Sequence, residues 1–177
     1  MPERTGADYL IRPARLEDYA GIQPLAEHMD SLHRQHLPDR FRRQEGPPRS
    51  REYITALIAD ESTLLAVAES RPAGRQAASN GRLLGVINAG LTQTPDIPVK
   101  VRRVFLRIRG IVVLPEVRRQ GIGSALLQKV SDWAGRHGAV EVQLSVYDYN
   151  PGAMLFFRAL GFAPLSHRLY RTLKADD

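Results

Sequence analysis

Between Val113 and Ser124 the chain reads Val-Leu-Pro-Glu-Val-Arg-Arg-Gln-Gly-Ile-Gly-Ser, residue types and a spacing that suit the holding of phosphate. Gly121 and Gly123 remove side chains where the first N–H groups of a helix would point outward. Those donors have no intrahelical partner, and the helix dipole adds partial positive charge at that end. Arg118 and Arg119 bring full charges beside them. Together these features describe a cradle for an anion such as a diphosphate. The segment is not the nucleoside-triphosphate loop, which keeps four residues between its glycines and follows them with Lys-Ser/Thr. Nor is it the dinucleotide fingerprint, because Leu126 stands where a third small residue belongs. On the residues alone, a tight strand-to-helix turn with glycines placed for packing is the commoner meaning of a bare Gly-x-Gly.

The elements that must position this segment follow from periodicity. Val101 to Val113 alternates as a strand, with Val104, Leu106 and Ile108 on one face and Arg103, Arg107 and Arg109 on the other. Ile122 to His137 has apolar residues at helical spacing, and Gly138 is its expected C′ residue. Ala139 to Val146 reads as a strand, Pro151 to Leu160 as a short helix with proline in its first turn, and Leu165 to Leu173 as a closing strand. Upstream, Tyr9 to Ile11 is β-like, and a helix is predicted over about 15–35, kinked or divided at Pro24. Residues 36–50 read as a loop and about 50–60 as a second helix. Thr63 to Glu69 and Arg82 to Leu91 are strands joined by an extended hairpin loop containing Asn80-Gly81. No repeat or linker interrupts them. The expectation is one domain over 1–177, an α+β fold. Its central sheet is mixed but mostly antiparallel, of about six to seven strands, with helices on both faces.

Val-x-Pro-x-x-Arg-Arg-x-Gly-Ile-Gly-Ser-x-Leu-Leu resembles motif A of the GNAT superfamily of acetyl-coenzyme A-dependent N-acetyltransferases. Leu144-Ser145-Val146, Asn150-Pro151-Gly152-Ala153, Phe156-Phe157 and Gly161-Phe162 are similar to its motif B, so the resemblance spans about residues 101–165. It implies acetyl-CoA as cosubstrate and an amine acceptor, a small molecule or a protein N-terminus or lysine, attacking directly in a ternary complex. It also implies that backbone groups of the strand Ile111-Val112-Val113 hold the pantetheine arm as an added strand would. Arg118, Arg119, Gln120, Gly121, Ile122, Gly123 and Ser124 would bind the pyrophosphate. Asn150 and the helix turn reaching Phe157 would flank the thiol end.

Acetyl transfer also needs proton traffic, since a free ammonium with a pKa of about 10.4 has to lose its proton and the departing thiolate has to gain one. In many relatives a motif B tyrosine supplies the second proton. Phe157 stands there in this chain and has none to give. Tyr147 and Tyr149, just past the second motif strand, are the replacement candidates, the alternatives being loop aromatics over the sheet edge or protonation by water. Relatives that act on amines often carry an acid near the position of Arg109. Here Arg107 and Arg109 either hold a carboxylate or phosphate of the acceptor or pair with acids on neighbouring elements. On the first helix Glu27, with Asp30, His28 and His33, could face an acceptor cleft or simply be solvated. His28, His33 and His36 lack metal-ligand spacing, so no metal is expected.

Composition narrows the rest. The 177 residues are 43% hydrophobic, enough for a sizeable core in one domain. The absence of cysteine excludes disulfides, thiolate metal sites and cysteine nucleophiles. No apolar run approaches the roughly 20 residues of a membrane span and the N-terminus does not read as a secretory signal, so a cytoplasmic location without membrane contact is expected. The net charge of +6 comes almost wholly from arginine. With Phe157, it leaves room for a second reading, a catalytically weakened acyl-CoA-binding or polyanion-binding module that uses the arginines at 34, 40, 42, 43, 49 and 51. No nucleic-acid-binding signature accompanies them, and nucleic acid is not the expected partner. The edge offered by the C-terminal strand makes a homodimer an option.

Overall fold

The computed structural model describes residues 8–71 and 81–173, so the expected hairpin loop at 71–81 lies almost entirely outside the described residues. The backbone groups into two units, Met1–Ser145 and Val146–Asp177.

The first unit is built on a sheet of order β1-β2-β3-β4-β5: β1 Tyr9–Pro13, β2 Thr63–Ser70, β3 Leu83–Gln93, β4 Val104–Val113 and β5 Val142–Gln143. The first four strands pair antiparallel and β5 lies parallel to β4, so the sheet is mixed and mostly antiparallel. Three helices flank it: α1 Tyr19–His36, α2 Arg51–Ala59 and α3 Ile122–Arg136. Strand alternation sorts the core into two layers. Leu65, Val67, Val86 and Val112 meet Ile22 and Leu25 of α1 and Ile54 and Leu57 of α2 in one buried cluster. The opposite face carries Ala66, Ala68, Ile87 and Ala89, all buried, small enough in the main to let α3 approach with Ile122, Leu126, Val130 and Ala134.

The helix ends follow local chemistry. Ser50 caps α2 by accepting the Tyr53 N–H at 3.1 Å. α3 closes with Gly138 at φ +81°, where the Ala139 N–H returns to the Ala134 carbonyl and the Gly138 N–H to that of Gly135. Pro24 lies inside α1, which nevertheless runs undivided from Tyr19 to His36 because the tertiary contacts of Ile22, Leu25 and Ala26 hold both sides of it against the sheet.

Two strand expectations are corrected. The run Ala139–Val146 bonds to β4 from Val140 and Glu141 but forms a strand only over Val142–Gln143, and 165–173 forms no strand, which leaves five strands among the described residues rather than six or seven. Alternating side chains show that a segment can lie flat on a core, not that an edge is there to receive it. Leu165 and Leu169 remain 80% and 91% exposed.

In the second unit, α4 spans Pro151–Ala159. Asn150 caps it by accepting the Ala153 N–H at 3.0 Å, and Pro151 begins it. Its end folds back through Phe162 N–H to the Phe157 carbonyl, while the two rings meet edge to face at 5.5 Å.

Candidate active site

α3 begins at Gly121, whose φ of +84° is a conformation only glycine adopts without strain. Arg119, two residues earlier, is also left-handed at φ +66° and lacks that licence, so the turn holds it against a local cost. The first return bond inside the helix is Ala125 N–H to the Gly121 carbonyl, and no side chain caps the N-terminus. The N–H groups of Gly121 through Ser124 are therefore the open donors of the helix start, with Arg118, Arg119 and Gln120 exposed beside them. Ile122 contributes only backbone, because its side chain is buried under the sheet.

β4 leads into this turn along an edge that opens on the way. β5 pairs with β4 only at Leu106 and Arg107, so beyond that point the pairing on this side ends. On the other side the ladder with β3 continues to Val113, and the Leu114 N–H still donates to Leu84. Alternation then directs the N–H and C=O of residues 110, 112 and 114 toward β3 and those of Ile111 and Val113 toward the open edge. Val112 instead turns its side chain into the α1–α2 core. The Arg118 guanidinium spans this edge, with Nε donating to the Val113 carbonyl at 3.1 Å and Nη2 lying 3.1 Å from His28 Nε2 on α1.

Where β4 opens it also bulges. The register with β3 shifts between Asn88 and Ala89, and Arg109 is the extra residue on β4. Gly110, opposite Asn88, faces Met29 of α1, whose sulfur would come within 3.3 Å of a Cβ placed there. Asn88 Oδ1 is buried without a hydrogen-bond partner among the described residues. Sequence reasoning missed both Asn88 and the bulge, although an isolated glycine within a strand pattern was the available signal.

The pairing of Arg107 and Arg109 with acids does not occur among the described residues. Arg107 donates to Gln143 Oε1 at 3.2 Å and lies over the Phe105 ring. Arg109 lies across Gly90 of β3, with Asp60 among its electrostatic neighbours. Glu27 is ion-paired with Arg34 at 2.5 Å and lines, with Gln23, Asp30 and the 41–48 loop, a cavity of about 420 Å³ to which Arg107 and Arg109 do not contribute. Asp30 accepts from both terminal guanidinium nitrogens of Arg49, Nη1 and Nη2. Among the described residues no three His, Asp or Glu side chains gather as metal ligands would.

In the second unit, Tyr147 and Tyr149 stack with centroids 5.6 Å apart, and the Asn150 N–H closes a turn onto the Tyr147 carbonyl. Burial, and then its neighbour Tyr147, push the Tyr149 hydroxyl above the usual tyrosine range. Phe157 is buried against Phe156 and Phe162.

Residues 29–162 match the model of the acetyltransferase (GNAT) family, and the chain belongs to that family. Thialysine N-epsilon-acetyltransferase of Bos taurus is 40% identical over 81 residues, which cover 46% of this chain and 46% of the relative. The chain thus spans less than half the length of that protein. An uncharacterized N-acetyltransferase of Bacillus subtilis is 23% identical over 152 residues, 86% of this chain and 88% of the relative. Among solved structures, a tetramutant of the BH1408 protein of Bacillus halodurans superposes with a TM-score of 0.80 at 23% identity, covering 93% of this chain and 99% of that one. The aminoglycoside antibiotic 6'-N-acetyltransferase of Acinetobacter baumannii gives 0.64 at 18% identity, covering 95% and 99%. These structural likenesses concern the fold.

Proposed function

We propose that residues 1–177 act as one cytoplasmic N-acetyltransferase domain that moves an acetyl group from acetyl-CoA to a primary amine. The observation that carries this reading is the conjunction of two open hydrogen-bonding surfaces, the uncapped start of α3 and the outward-facing edge of β4 that leads to it. One suits a diphosphate, and the other suits the amide-bearing arm that follows it in coenzyme A. Arg118, Arg119 and Gln120, with the N–H groups of Gly121 to Ser124, hold the diphosphate. Ile111 and Val113 hold the arm, for which Arg118 releases the Val113 carbonyl and turns its charge toward phosphate.

Acetyl-CoA supplies a thioester, whose carbonyl carbon is attacked by the neutral acceptor nitrogen as the C–S bond breaks, the surplus proton on the nitrogen leaving to water. The bulge at Arg109 and Gly110 re-aims backbone groups on the open side of β4, where an N–H can meet the developing oxyanion. Tyr149 gives its proton to the departing sulfur, and its environment keeps that proton on at neutral pH. The name of the bovine relative, with an ε-nitrogen as its acceptor, supports a primary amine.

Titration calorimetry with acetyl-CoA tests the reading. The wild-type chain is expected to bind saturably and Gly121→Trp to bind at least tenfold more weakly, because the indole covers the open donors. Equal binding by the two would refute it.

A further inference from the structure

The reading above places the diphosphate at the Val113 end of β4, so the acetyl group lies toward the other end of the open edge, where the β4–β5 ladder closes at Arg107. Three features of that end are not used in holding acetyl-CoA. Arg107 and Arg109 are exposed and take part in no ion pair among the described residues, whereas their neighbours Arg102 and Arg103 are paired with Asp96 and Glu141. Gly90 makes room for Arg109, since a Cβ there would come within 2.6 Å of Nη2 and 3.0 Å of Cζ. Asn88 stands two residues further along β3 on the same face, with its Oδ1 unpartnered.

The Arg109 guanidinium lies on bare backbone, with Asp60 near enough to feel its charge but not ion-paired with it, so its fork of donors is open to an anion. A buried carboxamide oxygen without a donor is a cost that a ligand N–H would relieve. Two residues of strand separate the positions, roughly 7 Å. We infer that the acceptor is an amine bearing a carboxylate or phosphate a few bonds away, with Arg109 and Arg107 gripping the anion and Asn88 Oδ1 receiving an N–H of the amine. Resting on the acetyl-transfer reading, this inference sets polycationic acceptors aside, because a second ammonium would meet two guanidinium groups, whose charge the more distant Asp60 offsets only in part.

The test follows thiol release with acceptors matched in length: 4-aminobutyrate, 4-aminobutanol and 1,4-diaminobutane. O-Phosphoethanolamine is set beside β-alanine to separate phosphate from carboxylate. The anionic amine is expected to exceed the diamine in kcat/KM by at least tenfold. Arg107→Gln and Arg109→Gln are each expected to shrink that ratio at least threefold, mainly through KM. The lysine variants should recover part of it, and Arg109→Glu should turn the preference toward the diamine. Circular dichroism and thermal melts of each variant identify any that fail to fold, and the wild-type ranking decides the question without them. Wild-type preference for the neutral amine or the diamine overturns the inference. So does a ratio that none of the folded variants alters, or a lack of turnover with every amine despite calorimetric acetyl-CoA binding. Absence of acetyl-CoA binding removes the underlying reading, and this inference with it.

Discussion

In the proposed transfer, the side chain with most at stake is Tyr149. Its hydroxyl is pushed above the ordinary tyrosine pKa by burial and by Tyr147, which keeps it protonated through neutrality. A proton donor of that kind works below its pKa and fails as pH rises through it, so the alkaline limb of kcat is expected above about pH 10. Tyr149→Phe should remove that limb and lower kcat by roughly 10²-fold with little change in the KM for acetyl-CoA. A pH–rate series on both proteins checks this, and full turnover by the phenylalanine variant would assign the proton to water. Phe157 shows why such a residue is hard to identify from sequence. Its position within the motif is legible, whereas its packing against Phe156 and Phe162 is not. Asn88 was invisible for the same reason, because a polar residue in a strand has no signature until its neighbours are known.

At the scale of elements, β1 and the turn that starts α1 are joined by a buried charge cluster. Arg12 reaches both oxygens of Asp18 at 2.7 Å and Glu69 of β2 at 2.6 Å, while the Arg15 N–H also donates to Asp18. Burial alone would push the Asp18 carboxyl up, but the hydrogen bonds from Arg12 and Arg15 outweigh it and leave the pKa below the ordinary range. A carboxyl depressed by folding contributes stability that is complete above its unfolded value, about 3.9, and is lost as pH falls through the lower folded value. Asp18→Asn is therefore expected to cost about 3 kcal/mol in urea unfolding at pH 7, because Arg12 loses its two-pronged charged partner in a site only 6% exposed at Asp18. The difference from wild type should narrow below pH 3. The elements themselves were largely readable. α3, β2 and β3 carry strong periodicity and appear within a residue or two of expectation, and the open helix start at Gly121 was legible from its glycines. The shortened β5, the unpaired 165–173 segment and the bulge at Arg109 were not, because each depends on what lies alongside rather than on the segment's own pattern.

For the whole molecule, the net charge of +6 raises the question of which anion it attracts. Part of the arginine complement is already engaged: Arg12, Arg34, Arg49, Arg82, Arg102 and Arg103 all sit in ion pairs. Arg34 and Arg49, two of the cations a polyanion-binding surface would use, are partly withdrawn into pairs with Glu27 and Asp30. That weakens the case for a nucleic-acid face and favours a small anion held by local geometry. The two differ in their response to salt. A protein that neutralises six to ten phosphates of a duplex loses about 10³- to 10⁵-fold in affinity between 50 and 200 mM salt, because condensed counterions are released. Coenzyme A has few phosphates and no condensed layer, so its attraction is only screened, over a Debye length of about 10 Å at 0.1 M. Acetyl-CoA affinity is therefore expected to fall by less than about tenfold over that range, a value readable from calorimetry at four salt concentrations. A steep loss for acetyl-CoA, or retention of duplex DNA at physiological salt, would shift the assignment from a shaped site at α3 to a diffuse basic surface.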